Sequence, residues 1–251
     1  MRFRILVLTL LTLFAASSAR ADDKKPLLKV AILTPAFGIR DNKAGYEAFP
    51  KWLEANYRVE VTLLIPADRK TIPDLEKAAD ADVVLTGLTH VELDEKQSDT
   101  VLKLYASKPL VGMRRSHHGA GFKVPKGSAV DSQKYGQATF GATFAEHLQG
   151  KLRPREGQAD HPILKGLTVA DLYPKEHLYV HKSLNDLSVL LESASGEPQV
   201  WTRTHPTSKQ RIVYAIHDGH DLGRSEPVRT LVAQAIFWAA NADENAYRKK
   251  Q

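Results

Sequence analysis

The chain has 251 residues, with 35 lysines and arginines against 29 acidic residues and no cysteine. That length suffices for one domain with a sizeable hydrophobic core. The absence of cysteine excludes disulfide scaffolding and thiolate catalysis.

The chain opens on a segment that does not belong to the fold. Arg2 and Arg4 precede an apolar run from Ile5 to Ala16, and Ala19-Arg20-Ala21 supplies small residues two apart. This is the pattern of a secretory signal peptide, residues 1–21, cleaved after Ala21; an uncleaved N-terminal anchor is the alternative. The run is short for a membrane span and no later stretch approaches one. The expectation is an exported protein, periplasmic or secreted, with no membrane attachment after cleavage and a single domain over residues 22–251. Loss of Arg2, Arg4 and Arg20 leaves 32 of the 35 basic residues against 29 acids. The apparent basicity is therefore partly the leader. The tail Arg248-Lys249-Lys250 reads as a solvated end, so no nucleic-acid partner is expected.

From Leu27 the pattern alternates. Leu28 to Leu33 predicts a buried strand running into Thr34-Pro35-Ala36-Phe37-Gly38. A helix over about 43–57 follows, with Tyr46, Phe49, Trp52 and Leu53 on one face and Pro50 delaying or kinking it. A second strand spans 59–65, and Leu75, Ala78 and Ala79 mark a short helix. The third strand, 82–88, runs into Thr89-His90; a helix covers 98–107, and the fourth strand is 109–113. Repeated strand–helix–strand units argue for α/β architecture with a doubly wound parallel sheet. In a flavodoxin-like order, the first, third and fourth strands bring Phe37 and Arg40, His90, and Arg114 to His118 to one edge.

Beyond Gly119 a loop runs to about Lys134, either a lid or an excursion without a role. Phe140, Phe144 and Leu148 recur every four residues, which predicts a helix carrying His147. Short strands at 178–180, 188–191, 200–203 and 211–216 suggest a β-rich late insertion feeding a last sheet strand, and a closing helix covers 227–241. Between those two lies His217-Asp218-Gly219-His220-Asp221, with Gly219 in a tight turn and the strand end on the same edge as Ser116 to His118.

The chemistry gathers in PLVGMRRSHHG, residues 109–119, where an apolar strand turns abruptly polar; a solvated loop is the plain alternative. His117, His217 and His220 are the candidate catalytic groups, because imidazoles take and give protons near neutral pH. Arg114 offers fixed charge and forked donors. With Phe37, Arg40, His90, Ser116, His118 and Asp221 it would line the substrate crevice. Three classes of function compete: a carbohydrate-processing enzyme, a sugar-binding module without turnover, and a metal-dependent hydrolase built on His217, His220 and His117. The sequence names no cofactor. No acid pair stands out for glycoside hydrolysis, and no Gly-x-Ser-x-Gly supports Ser116 as a nucleophile.

The segments LVGMRRSHHG, HPILKGL, QVWTRTH, RIVYAIHDGHDLG and LVAQAIFWAAN resemble the trehalose-utilisation (ThuA-like) family. That resemblance implies a class I glutamine amidotransferase-like fold, a flavodoxin-like sheet with elaborations. In amidotransferases the fourth-strand elbow bears a nucleophilic cysteine and a late loop its histidine. Here Ser116-His117-His118 and His217 to His220 occupy those regions, and without cysteine that route to glutamine hydrolysis is closed. The resemblance implies carbohydrate metabolism, with a sugar or an oxidised (3-keto) glycoside as the small-molecule ligand.

Overall fold

The computed structural model describes residues 27–36, 40–122, 132–172, 174 and 177–250. The expected leader, Phe37 and most of the expected lid lie outside them. The elements are β1 (Leu28–Leu33), α1 (Arg40–Asn56), β2 (Val59–Leu64), β3 (Val83–Thr86), β4 (Glu92–Leu93), α2 (Glu95–Ser107), β5 (Leu110–Met113), β6 (Gly121–Phe122) and α3 (Ser132–Phe140). Then come β7 (Thr143–Leu148), β8 (Leu152–Pro154), β9 (Leu178–Lys182), β10 (Ser188–Ser193), β11 (Pro198–Thr204), β12 (Arg211–Ala215), α4 (Gly219–Arg224), α5 (Glu226–Ala239) and α6 (Glu244–Tyr247).

The main sheet runs β2-β1-β3-β5-β12-β11-β10-β8. Its first five strands are parallel, which matches a flavodoxin-like order, and β3 and β5 are buried along their whole length, as parallel strands covered on both faces must be. The last three strands add antiparallel. The short late strands thus do not gather into a unit of their own. β10 and β11 extend the main sheet, while β9 pairs with β7 in a separate ribbon.

Two cores flank the sheet. On one face Val30, Ile32, Val111, Met113, Val213 and Ala215 pack beneath α1 and α5. On the other, Ala31, Leu33, Leu110, Trp201 and Tyr214 meet α2 and α3. Trp201 stacks on Tyr214 at 4.1 Å and donates its indole N–H to the Phe140 carbonyl at 2.8 Å.

Three local expectations are corrected. No helix runs through Phe144 and Leu148: α3 stops at Phe140, Gly141 takes φ 79°, and the next residues form β7. An apolar spacing of four fits a strand face as well as a helix face, so it could not decide. Pro50 does not delay α1, which opens at Arg40, ahead of the expected start near Lys43. Gly219 makes no tight turn but opens α4, which Asp218 caps.

Packing instead demands a glycine across from it, at position 45. A Cβ on Gly45 would stand 1.6 Å from the Gly219 carbonyl oxygen, so α1 and α4 touch backbone to backbone. The contact fixes the segment after β12 against α1.

Candidate functional site

β5 and β12 are parallel neighbours, with Met113 opposite Ala215. The residues that follow them, Arg114 and Ile216-His217, therefore leave the sheet side by side at its carboxyl edge, where ligands of open α/β sheets bind. Arg114 is the junction. It follows β5 directly and takes φ 25°, a conformation costly for a residue with a side chain. It is 2% exposed. Its Nη2 donates to the His177 carbonyl at 2.7 Å and its Nη1 to Ile216 at 3.4 Å, while the guanidinium lies 4.7 Å over the Tyr179 ring. The Arg114 carbonyl in turn accepts from the Tyr214 hydroxyl and, at 2.9 Å, from His117 Nδ1.

On one flank, the 3₁₀ turn Arg114–His117 carries the first histidine group. His117 is fully buried, with its ring against His118, Tyr179, His181 and Tyr214. Burial holds its pKa well below the ordinary histidine value, helped by His118 and His181. Ser116 is also buried, its carbonyl taken by the Tyr135 hydroxyl at 2.7 Å. His118 is half-buried and stacks on Phe144 at 4.6 Å. Its pKa falls to about 4 through burial and then through Arg115 and Arg114. His90 is exposed, its Nε2 3.4 Å from Arg115 Nη1. Partial burial and Arg115 lower its pKa.

On the other flank, His217 is fully buried and donates Nε2–H to the Leu172 carbonyl at 2.5 Å. Burial lowers its pKa against the opposing pull of Asp221. Asp218 accepts from the His220 backbone at 2.9 Å, and its own backbone N–H donates to Asp221 Oδ2 at 3.1 Å. This capping box makes the His-Asp-Gly-His-Asp run a helix start, and it commits the Asp221 carboxylate to α4. His220, 7% exposed, rides on that helix.

Arg114 is what the two flanks share. It acts on His118 on one side and on His217 on the other. His117 makes its ring contacts on the first flank, whereas α4, with His220, packs on α1. Phe37 lies outside the described residues. Arg40 opens α1, and its side chain is not among those described.

Two residues escaped the sequence reading. Tyr46 is buried beneath the second flank, its hydroxyl over Gly87, where a Cβ would approach to 2.1 Å. Burial, then Asp218 and Asp221, raise its pKa well above the usual phenol value. His181 is 6% exposed and packs on His117 at 5.2 Å, with a pKa lowered to about 3 by burial and His118. The face alternation of a strand gave no cue to His181, and Tyr46 looked like one more core aromatic of α1. Among the described residues no group of three or more histidines and acids is placed to hold a metal ion.

In fold, the chain is similar to a protein from Bacteroides uniformis described as ThuA-like, with TM-score 0.60 and 16% identity over 88% of this chain and 95% of that one. A second protein described as ThuA-like, from Parabacteroides merdae, gives TM-score 0.54 and 14% identity over 86% of this chain and 90% of the other. No protein-family model and no curated protein sequence matches the chain.

Proposed function

We propose that this is an exported ThuA-like protein of carbohydrate metabolism that takes a small sugar or keto-glycoside in the crevice at the carboxyl ends of β5 and β12. The observation that carries this reading is Arg114. A permanently charged guanidinium is buried at the junction of two strand ends, on a strained backbone, with neutral imidazoles around it. Strain of this kind persists where the surroundings over-determine it, and it clusters at ligand sites. The Arg114 fork holds the His177 and Ile216 carbonyls in place, and its fixed charge suits an oxygen-rich ligand. An imidazole kept neutral at pH 7 can take a proton, as elimination or isomerisation beside a carbonyl requires, although the burial that keeps it neutral also weakens it as a base.

Burial divides the roles. His90 and His118 are the site imidazoles that reach solvent, His220 lies just beneath the surface, and His117 holds the Arg114 carbonyl from behind. Leader cleavage after Ala21 belongs to the same reading. Mass spectrometry of protein from the host should find Ala21 and everything before it missing; an intact leader would refute export by cleavage.

A second reading, a binding module without turnover, is favoured by the complete burial of His117 and His217. Incubating the mature protein with mono- and disaccharides and their keto forms separates the two. Product formation supports the enzyme, and saturable binding without product supports the module.

A further inference from the structure

At the opposite edge of the sheet lies a cleft of about 930 Å³ that the crevice does not use. It forms where the start of β12 meets the C-terminus of α5, α6 and the turn Pro162–Leu164. Arg211 lies over the Trp238 ring at 4.9 Å and donates Nη1 to the Trp238 carbonyl at 3.0 Å. Its other donors meet no acid among the described residues. Three acids line the rim, Asp160, Asp243 and Glu244, and the last two are already engaged. Asp243 caps α6 by accepting from the Asn245 backbone at 3.1 Å, and Glu244 accepts from the Tyr57 hydroxyl at 2.7 Å and from Arg248. Asn241, Asn245, Gln234 and Lys165 make up the rest of the polar wall.

We propose that this cleft is a second small-molecule site, taking a neutral polyhydroxylated ligand of mono- or disaccharide size. The volume lies within the range of small-molecule pockets. Side-chain amides both donate and accept, as hydroxyl groups do, and Trp238 adds an apolar wall. The carbonyl end of α5 opens here and carries the negative end of the helix dipole, so Arg211 serves partly to balance it. An anion would have to compete with those carbonyls for Arg211. A neutral ligand would not.

The test is a titration of the mature protein with glucose, a glucose disaccharide, glucuronate and inorganic phosphate, followed by the NMR signal of the Trp238 indole. Glucose or the disaccharide should shift that signal saturably, and Asn241→Gly should weaken the effect about three- to tenfold, the loss expected for one hydrogen bond. Glycine keeps the positive φ of 54° that Asn241 adopts, so the backbone is spared; Asn245→Ala provides an independent second variant. Unchanged affinity in both variants would overturn the proposal. So would tighter binding of phosphate or glucuronate than of glucose, or no saturable shift by either neutral sugar. An Arg114→Met variant should leave the Trp238 response intact. Loss of that response there would place the ligand in the crevice instead, so failure here is distinguishable from failure of the crevice reading.

Discussion

Replacing Gly45 by alanine puts a methyl group into a contact with no room for it. The new Cβ would stand 1.6 Å from the Gly219 oxygen, 2.5 Å from the Gly219 carbon and 3.0 Å from the Gly223 nitrogen, where ordinary contact begins at 3.4 Å. All three neighbours are backbone atoms, so no side chain can rotate away. α1 and α4 must separate by about 1.8 Å, the gap between 1.6 and 3.4 Å. Overpacking costs roughly 1–3 kcal/mol, and backbone against backbone belongs at the upper end. Alanine's helix propensity returns about 1 kcal/mol. The net loss is about 2 kcal/mol, which lowers Tm by roughly 4–8 °C for a domain of this size. Scanning calorimetry reads it directly. Because α4 begins two residues after His217, the same change should weaken crevice ligands. A Gly45→Ala protein with unchanged or higher Tm would refute the packing of α4 on α1, and with it the placement of His220.

Other outcomes follow from the same geometry. His118 has a folded pKa of about 4 against about 6.5 when unfolded, so the unfolded chain binds its proton first as pH falls. Stability is full above about pH 6.5 and declines toward pH 4, by about 3 kcal/mol from this group at ~1.4 kcal/mol per pH unit. Urea titrations at pH 7.5 and 5 should show the decline and a shallower one in His118→Gln; equal slopes would contradict the burial of His118. Asp218→Ala removes the α4 cap and should cost about 1–2 kcal/mol in denaturant melts; no change would argue against the capping box. His117→Ala should destabilise by about 2–4 kcal/mol, as truncation of a core ring does. A Tm within a degree of wild type would mean that the ring is not buried.

The first half of the sheet was legible because each parallel strand is an apolar run ended by a change of character. β1, β2, β3 and β5 fall within one or two residues of the expected bounds. The start of α2 was placed late because the signal lay in Asp94, whose side chain accepts from Gln97 N at 2.8 Å, and not in the apolar residues from Val101 onward. β7 was misread because its apolar spacing fits two periods at once. At the site, the neighbouring of the two histidine blocks followed from topology alone, since parallel strands end at one edge. What could not be read was burial. His117 looked like a loop residue free to meet a ligand, yet it faces Tyr214 of β12 and His181 of β9, elements far along the chain. The strain at Arg114 was equally hidden, because no residue type advertises a positive φ there.

The proposed function rests on Arg114 anchoring an oxygen-rich ligand between the ends of β5 and β12. The most direct measurement is an NMR titration of the mature protein with sugars and their keto forms, following the ring signals of His118, assigned by their loss in His118→Gln. The His118 signals should shift saturably, and the affinity should weaken at least tenfold, about 1.4 kcal/mol, in a folded Arg114→Met protein. Equal affinity in that variant, or no response of His118 to any sugar of the panel, would contradict it.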